Sequence, residues 1–99
     1  MDIEPQHLKI VREILDRDLP PYSKVWLFGS RVNKTKKKYS DLDLAIESRA
    51  ILPLSILAAL QYHFSESDLP YKVDIVDLKN ISDSFRERIN IDLMLLWEK

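Results

Sequence analysis

The sequence predicts a small α/β (α+β) domain, a mixed β-sheet packed with helices. Segments with apolar residues at helical spacing alternate with short apolar runs of strand length, in the order α-β-turn-β-α-β-α. The 99 residues carry no repeat, low-complexity tract or linker, so 1–99 reads as a single domain. That length is too short for a full doubly wound sheet. The chain also has one glycine, Gly29, where average usage would give about seven. A lone glycine marks a position that needs no Cβ, for a positive φ or for the close approach of a ligand.

Each element has a local reason. Pro5 suits the first turn of a helix, with Asp2 and Glu4 near its positive end. Leu8, Val11 and Leu15, flanked by Ile10 and Ile14, carry a buried stripe to about Asp18, and Leu19-Pro20-Pro21 stops it. Lys24 to Phe28 (KVWLF) reads as a buried strand that runs into Gly29-Ser30, with Ser30 a good N-cap for a following turn. Leu42 to Glu47 (LDLAIE) alternates, with Leu42, Leu44 and Ile46 on one face and Asp41, Asp43 and Ala45 on the other. A second helix is expected from Leu54 to about Ser65, burying Leu57, Leu60 and Phe64, and a third strand from Tyr71 to Val76. A last helix is expected from about Asp83, with Ser84 and Glu87 as a capping box and Phe85, Ile89, Leu93, Leu96 and Trp97 along one side. The run INIDLML also alternates like a strand.

Composition closes off several function classes. Without cysteine there is no disulfide, thiolate metal site or cysteine nucleophile. No apolar run reaches the roughly 18 residues of a membrane span, and the acidic, polar start is unlike a signal peptide; a cytoplasmic protein is the expectation. Fifteen basic against sixteen acidic residues argue against a surface built to hold duplex nucleic acid. The charges are segregated, however: residues 31–38 (RVNKTKKK) are cationic, and Asp41 and Asp43 follow at once. That juxtaposition suits a site for a metal and a polyphosphate together.

Asp41 and Asp43 lie two positions apart on a strand, so both carboxylates project from one face. Two uncompensated anions repel, and a cation between them relieves the repulsion. Hard oxygen ligands suit Mg²⁺, which takes one or two carboxylates and completes its shell with water and phosphate oxygens. A DxD pair alone is weak, because two solvated aspartates at a strand edge look the same. Upstream, a strand ends in Gly29-Ser30, a corner where backbone N–H groups can approach phosphate. Arg31 suits either a phosphate or a surface carboxylate.

Taken together, Gly29-Ser30-Arg31-Val32, the ten residues Arg31 to Ser40 and then Asp41-Leu42-Asp43-Leu44-Ala45-Ile46 resemble the signature of the DNA polymerase β-like nucleotidyltransferases. Within that superfamily the chain resembles the minimal nucleotidyltransferases (MNT), and Val73-Asp74-Ile75-Val76-Asp77-Leu78 fits the strand of a third carboxylate. The resemblance implies the polymerase β-like fold, with Asp41, Asp43 and Asp74 as catalytic and metal-binding carboxylates. Gly29, Ser30 and Arg31 would bind nucleotide. It implies two Mg²⁺ ions (Mn²⁺ being possible) and ATP as substrate. Asp77 competes with Asp74 for the third role; Asp74 is preferred because it shares a strand face with Lys72 and Val76, whereas Asp77 lies at the strand's end. One departure is Asn33-Lys34, where many relatives place a second glycine.

Minimal nucleotidyltransferases resemble the antitoxin half of pairs whose other half is an all-helical HEPN toxin, so AMP transfer to a tyrosine hydroxyl of such a partner is implied. A non-catalytic steric antitoxin stays open, as does transfer to a small molecule or an RNA end. The apolar Ile91, Met94 and Leu95, off the stripe of the expected last helix, predict a protein partner or an oligomer through that helix. His7 and His63 lack metal-ligand spacing, and Trp26 reads as core with a wet N–H.

Overall fold

The computed structural model describes residues 3–29, 32 and 41–99. Helix α1 (Pro5–Asp18) begins with proline at its start and buries Val11, Ile14 and Leu15. The amide of Leu19 closes it by donating to the Leu15 carbonyl at 3.0 Å. Strands β1 (Lys24–Phe28) and β2 (Leu42–Glu47) follow, then α2 (Leu54–Ser65), β3 (Val73–Asp77), α3 (Asp83–Asn90) and β4 (Met94–Glu98). The sheet order is β3-β2-β1-β4. β1 is antiparallel to both neighbours, and β2 and β3 are parallel, joined by α2. The mixed sheet with helices is the fold class the periodicities predict.

Strand alternation divides the interior into two layers. Val25, Leu27, Leu42, Leu44, Ile46 and Val73 face α1 and α2 and pack with Val11, Leu15, Leu60 and Phe64. Phe28, Ala45 and Val76 face the other way, against Ile89 and Phe85 of α3. Leu44 is fully buried, a transfer of about 1.5–3 kcal/mol for a side chain of that size. Trp26 is half-buried on the α3 side, its indole N–H donating to Glu47 Oε1 at 3.3 Å.

The far end of the sheet is tied by polar contacts. Buried Ser23 donates its hydroxyl to the Pro20 carbonyl (2.7 Å) and lies 2.8 Å from the Ser48 hydroxyl. Lys99 donates its ammonium to the carbonyls of Asp16 and Leu19, both at 2.7 Å, at the C-terminal end of α1. A cation there complements the negative end of the helix dipole. His63 Nδ1 and Asp18 Oδ2, 2.6 Å apart, join the last turns of α2 and α1.

The C-terminal segment corrects the expected long helix. α3 ends at Asn90, and Met94–Glu98 is a strand paired with β1, interrupted by a bulge opposite Val25/Trp26. Without β4, β1 would be an edge strand with a row of unpaired backbone groups. That tertiary demand outweighs helical periodicity in a run that satisfies both patterns. The cap is also shifted: Ser82, not Ser84, is the N-cap, its hydroxyl accepting from the Phe85 amide at 3.2 Å. The exposed apolar residues Ile91, Met94 and Leu95 therefore sit on a turn and an edge strand, not on the helix expected to mediate association.

Candidate functional site

The antiparallel register sets Phe28 opposite Asp43, and the parallel register sets Asp43 beside Asp74. Neighbouring strands run roughly 4.8 Å apart, so Asp43 and Asp74 project side by side from the α3 face of the sheet. Asp43 is half-buried, Asp74 has 40% of its side chain exposed, and Asp41 is exposed just before β2.

Gly29 directly follows Phe28 and has φ +80°. A Cβ added there would lie 3.2 Å from Asp43 Cγ and closer still to Asp43 Oδ2. The glycine is thus required twice, by a left-handed backbone and by the carboxylate against it. The corner continues as a turn, with the Val32 amide donating to the Gly29 carbonyl at 3.1 Å.

Lys72 flanks the acidic pair. Its ammonium is 3.2 Å from Asp74 Oδ1, and its carbonyl accepts from the Leu42 amide at 2.9 Å. Ser30, Arg31, Asn33 and Lys34 lie outside the described residues.

Among the described residues no three His, Cys, Asp or Glu side chains gather closely enough to ligate one ion. Asp43 and Asp74 stand together; Asp41 lies just before β2, two residues ahead of Asp43. Two adjacent hard carboxylates, one of them packed against a glycine that has no Cβ to push it aside, fit a divalent cation that takes its remaining ligands from phosphate and water. The residues that would hold it are Asp43 and Asp74, with Asp41 exposed two residues before Asp43.

A family model described as "Polymerase beta, Nucleotidyltransferase" matches residues 9–99. The chain belongs to this nucleotidyltransferase family. It is 48% identical over 101 residues, spanning all of this chain and 86% of the relative, to a Haemophilus influenzae protein described as "Probable protein adenylyltransferase MntA". A crystal structure of a toxin–antitoxin with AMP-PNP shares 25% identity and superposes with a TM-score of 0.77, over 93% of this chain and 73% of that one. A structure of the tri-AMPylated Shewanella oneidensis HEPN toxin in complex with MNT antitoxin matches at TM-score 0.72 and 22% identity, over 98% and 74% of the two chains. The last is a likeness of fold.

In this nucleotidyltransferase-family chain the two candidates for a third carboxylate have different surroundings. Asp77 is buried at 6% exposure. Its Oδ2 accepts from the Leu52 amide at 2.8 Å and its Oδ1 from the Lys79 amide at 2.9 Å. Oδ2 thus pins the segment before α2 to the end of β3, and Oδ1 holds the turn that follows β3. Sequence reasoning had no signal for this clasp, because neither partner is a side chain. Asp77→Ala leaves these amides without their acceptor and is expected to cost about 3 kcal/mol. Urea unfolding checks this, with Asp74→Asn, at an exposed position, staying near the parent stability.

The nucleotidyltransferase fold also has a groove of about 490 Å³ beside Pro20, Tyr22, Arg49, Ile51 and Pro53. It flanks the start of β1 and the end of β2, the opposite end from Gly29 and Asp43. No helix among the described residues is long and apolar enough to cross a membrane.

Proposed function

We propose that this chain is a Mg²⁺-dependent protein adenylyltransferase that transfers AMP from ATP to a tyrosine hydroxyl of an all-helical HEPN toxin, acting as its antitoxin in the cytoplasm. The observation that carries the reading is the meeting of Gly29, just past the end of β1, with Asp43 of β2, which the parallel register sets beside Asp74 of β3. Near-half identity to a relative named as a protein adenylyltransferase supports the acceptor class. The likeness to a toxin–antitoxin holding an ATP analogue supports the nucleotide and the partner.

In this reading the acceptor oxygen attacks the α-phosphorus of ATP, and the bond from that phosphorus to the β-phosphate's bridging oxygen breaks. AMP stays on the acceptor and pyrophosphate leaves. The Gly29 corner lets the triphosphate come close to backbone without meeting a side chain, and Ser30 and Arg31 bind its oxygens. Asp43 and Asp74, with Asp41 ahead of them in the chain, would hold the cation that accompanies the polyphosphate. Asp74 borders the approach of the hydroxyl and accepts its proton on a carboxylate oxygen. Bound Mg²⁺ supplies neutralisation of charge on the attacking and leaving oxygens.

The test is direct. Purified chain, α-labelled ATP, Mg²⁺ and the HEPN protein encoded beside it are expected to yield labelled HEPN protein, with the label lost when its acceptor tyrosine becomes phenylalanine. Neutralisation of the toxin without any label, and without nucleotide binding by calorimetry, would replace enzymatic silencing by steric association.

A further inference from the structure

We propose that Lys72 is a positioning residue of the acidic cradle: its ammonium pairs with Asp74 and must leave before a divalent cation engages that carboxylate. The proposal rests on Asp74 being a cation ligand, as in the reading above. Lys72 and Asp74 are two positions apart at the start of β3 and share a face, so the long side chain lies along the strand toward the carboxylate. Its Nζ is 3.2 Å from Asp74 Oδ1. The backbone of Lys72 is fixed beside the first residue of β2, since the Leu42 amide donates to its carbonyl at 2.9 Å. A cation is thereby stationed at Asp74, the carboxylate that the strand register sets beside Asp43, where it offsets the repulsion between neighbouring anions.

The pair is built to open. Lys72 is 71% exposed and Asp74 40%, and solvated ion pairs of this kind add little to stability. A lysine ammonium is a compact, strongly hydrated charge on a flexible stem, making no bidentate clasp. It swings to water readily, in contrast to the two-amide grip on Asp77. A metal ion arriving alone has to displace the ammonium and meets a like charge. A metal ion arriving on a triphosphate brings the ammonium a new anionic partner. Lys72 therefore makes cation occupancy depend on nucleotide.

Mn²⁺ binding to the full chain, read by the loss of the free-ion electron paramagnetic resonance signal, tests this without turnover. Lys72→Met is expected to tighten binding of Mn²⁺ alone by about threefold to fivefold, the worth of an exposed ion pair. Lys72→Arg, which keeps the charge, is expected to stay near the parent value. With AMP-PNP present, the gain from Lys72→Met is expected to vanish. Equal or weaker binding of Mn²⁺ alone by Lys72→Met overturns the proposal. Asp74→Asn separates the two levels: weakened Mn²⁺ binding upholds Asp74 as a ligand whatever Lys72 does, and unchanged binding removes that ligand reading and the proposal with it.

Discussion

Asp43→Asn is expected to lower nucleotidyl transfer by about 10³-fold, on the scale of deleting a preorganised electrostatic contact at the reacting centre. Asparagine keeps the shape of the side chain but presents at most one oxygen, carries no charge and turns an amide toward the cation. Asp43 is the residue that meets both neighbours, Phe28 on β1 and Asp74 on β3. No other position in the cradle touches both registers. The change removes a half-buried charge facing another anion, so the thermal midpoint should shift by only a few degrees. Label transfer and a melting curve on the same preparation check both halves. Full activity in the variant would remove Asp43 from the chemistry.

Gly29→Ala is expected to damage fold and site together. An alanine at φ +80° pays the left-handed penalty of about 1–2 kcal/mol. The same exchange where φ is negative would stabilise by about 0.4–1 kcal/mol through the unfolded chain. Its methyl also meets the Asp43 carboxyl, and a displaced catalytic group of about 1 Å costs on the order of 10²-fold in rate. Stability should fall by about 2 kcal/mol in urea unfolding. Because part of that loss comes from one contact, adding Asp43→Ala should recover some of it. A strictly additive double variant would locate the strain elsewhere.

Much of the frame was legible in the residues. The runs KVWLF and LDLAIE form strands with the expected bounds, and Leu54–Ser65 forms the expected helix. In each, the apolar period is unambiguous over the length that packs. The partition of Leu42, Leu44 and Ile46 from Ala45 also matches the two interior layers. The C-terminal segment was not legible, because Met94 to Trp97 satisfies either period and only the open edge of β1 decides between them. The third strand was placed early: it starts at Val73 and extends to Asp77. At the site, sequence spacing pointed to Gly29, Asp41 and Asp43, the family resemblance added Asp74, and strand register is what sets Asp43 beside Asp74. The commitment of Asp77 to backbone amides was invisible, since a buried acceptor of main-chain donors leaves no spacing pattern. Ser30 and Arg31 rest on spacing and resemblance alone.

The bulged pairing of β4 with β1 has a further consequence for how the molecule lives as a machine. The strand that ends at the glycine corner draws one partner from the first half of the chain and the other from its last few residues. That strand holds none of the three candidate site aspartates, yet peeling it away would turn the molecule's central support into a bare border open to foreign pairing. The glycine corner thus leans on a segment remote from it in sequence, and loosening Met94–Glu98 would be felt where β1 ends.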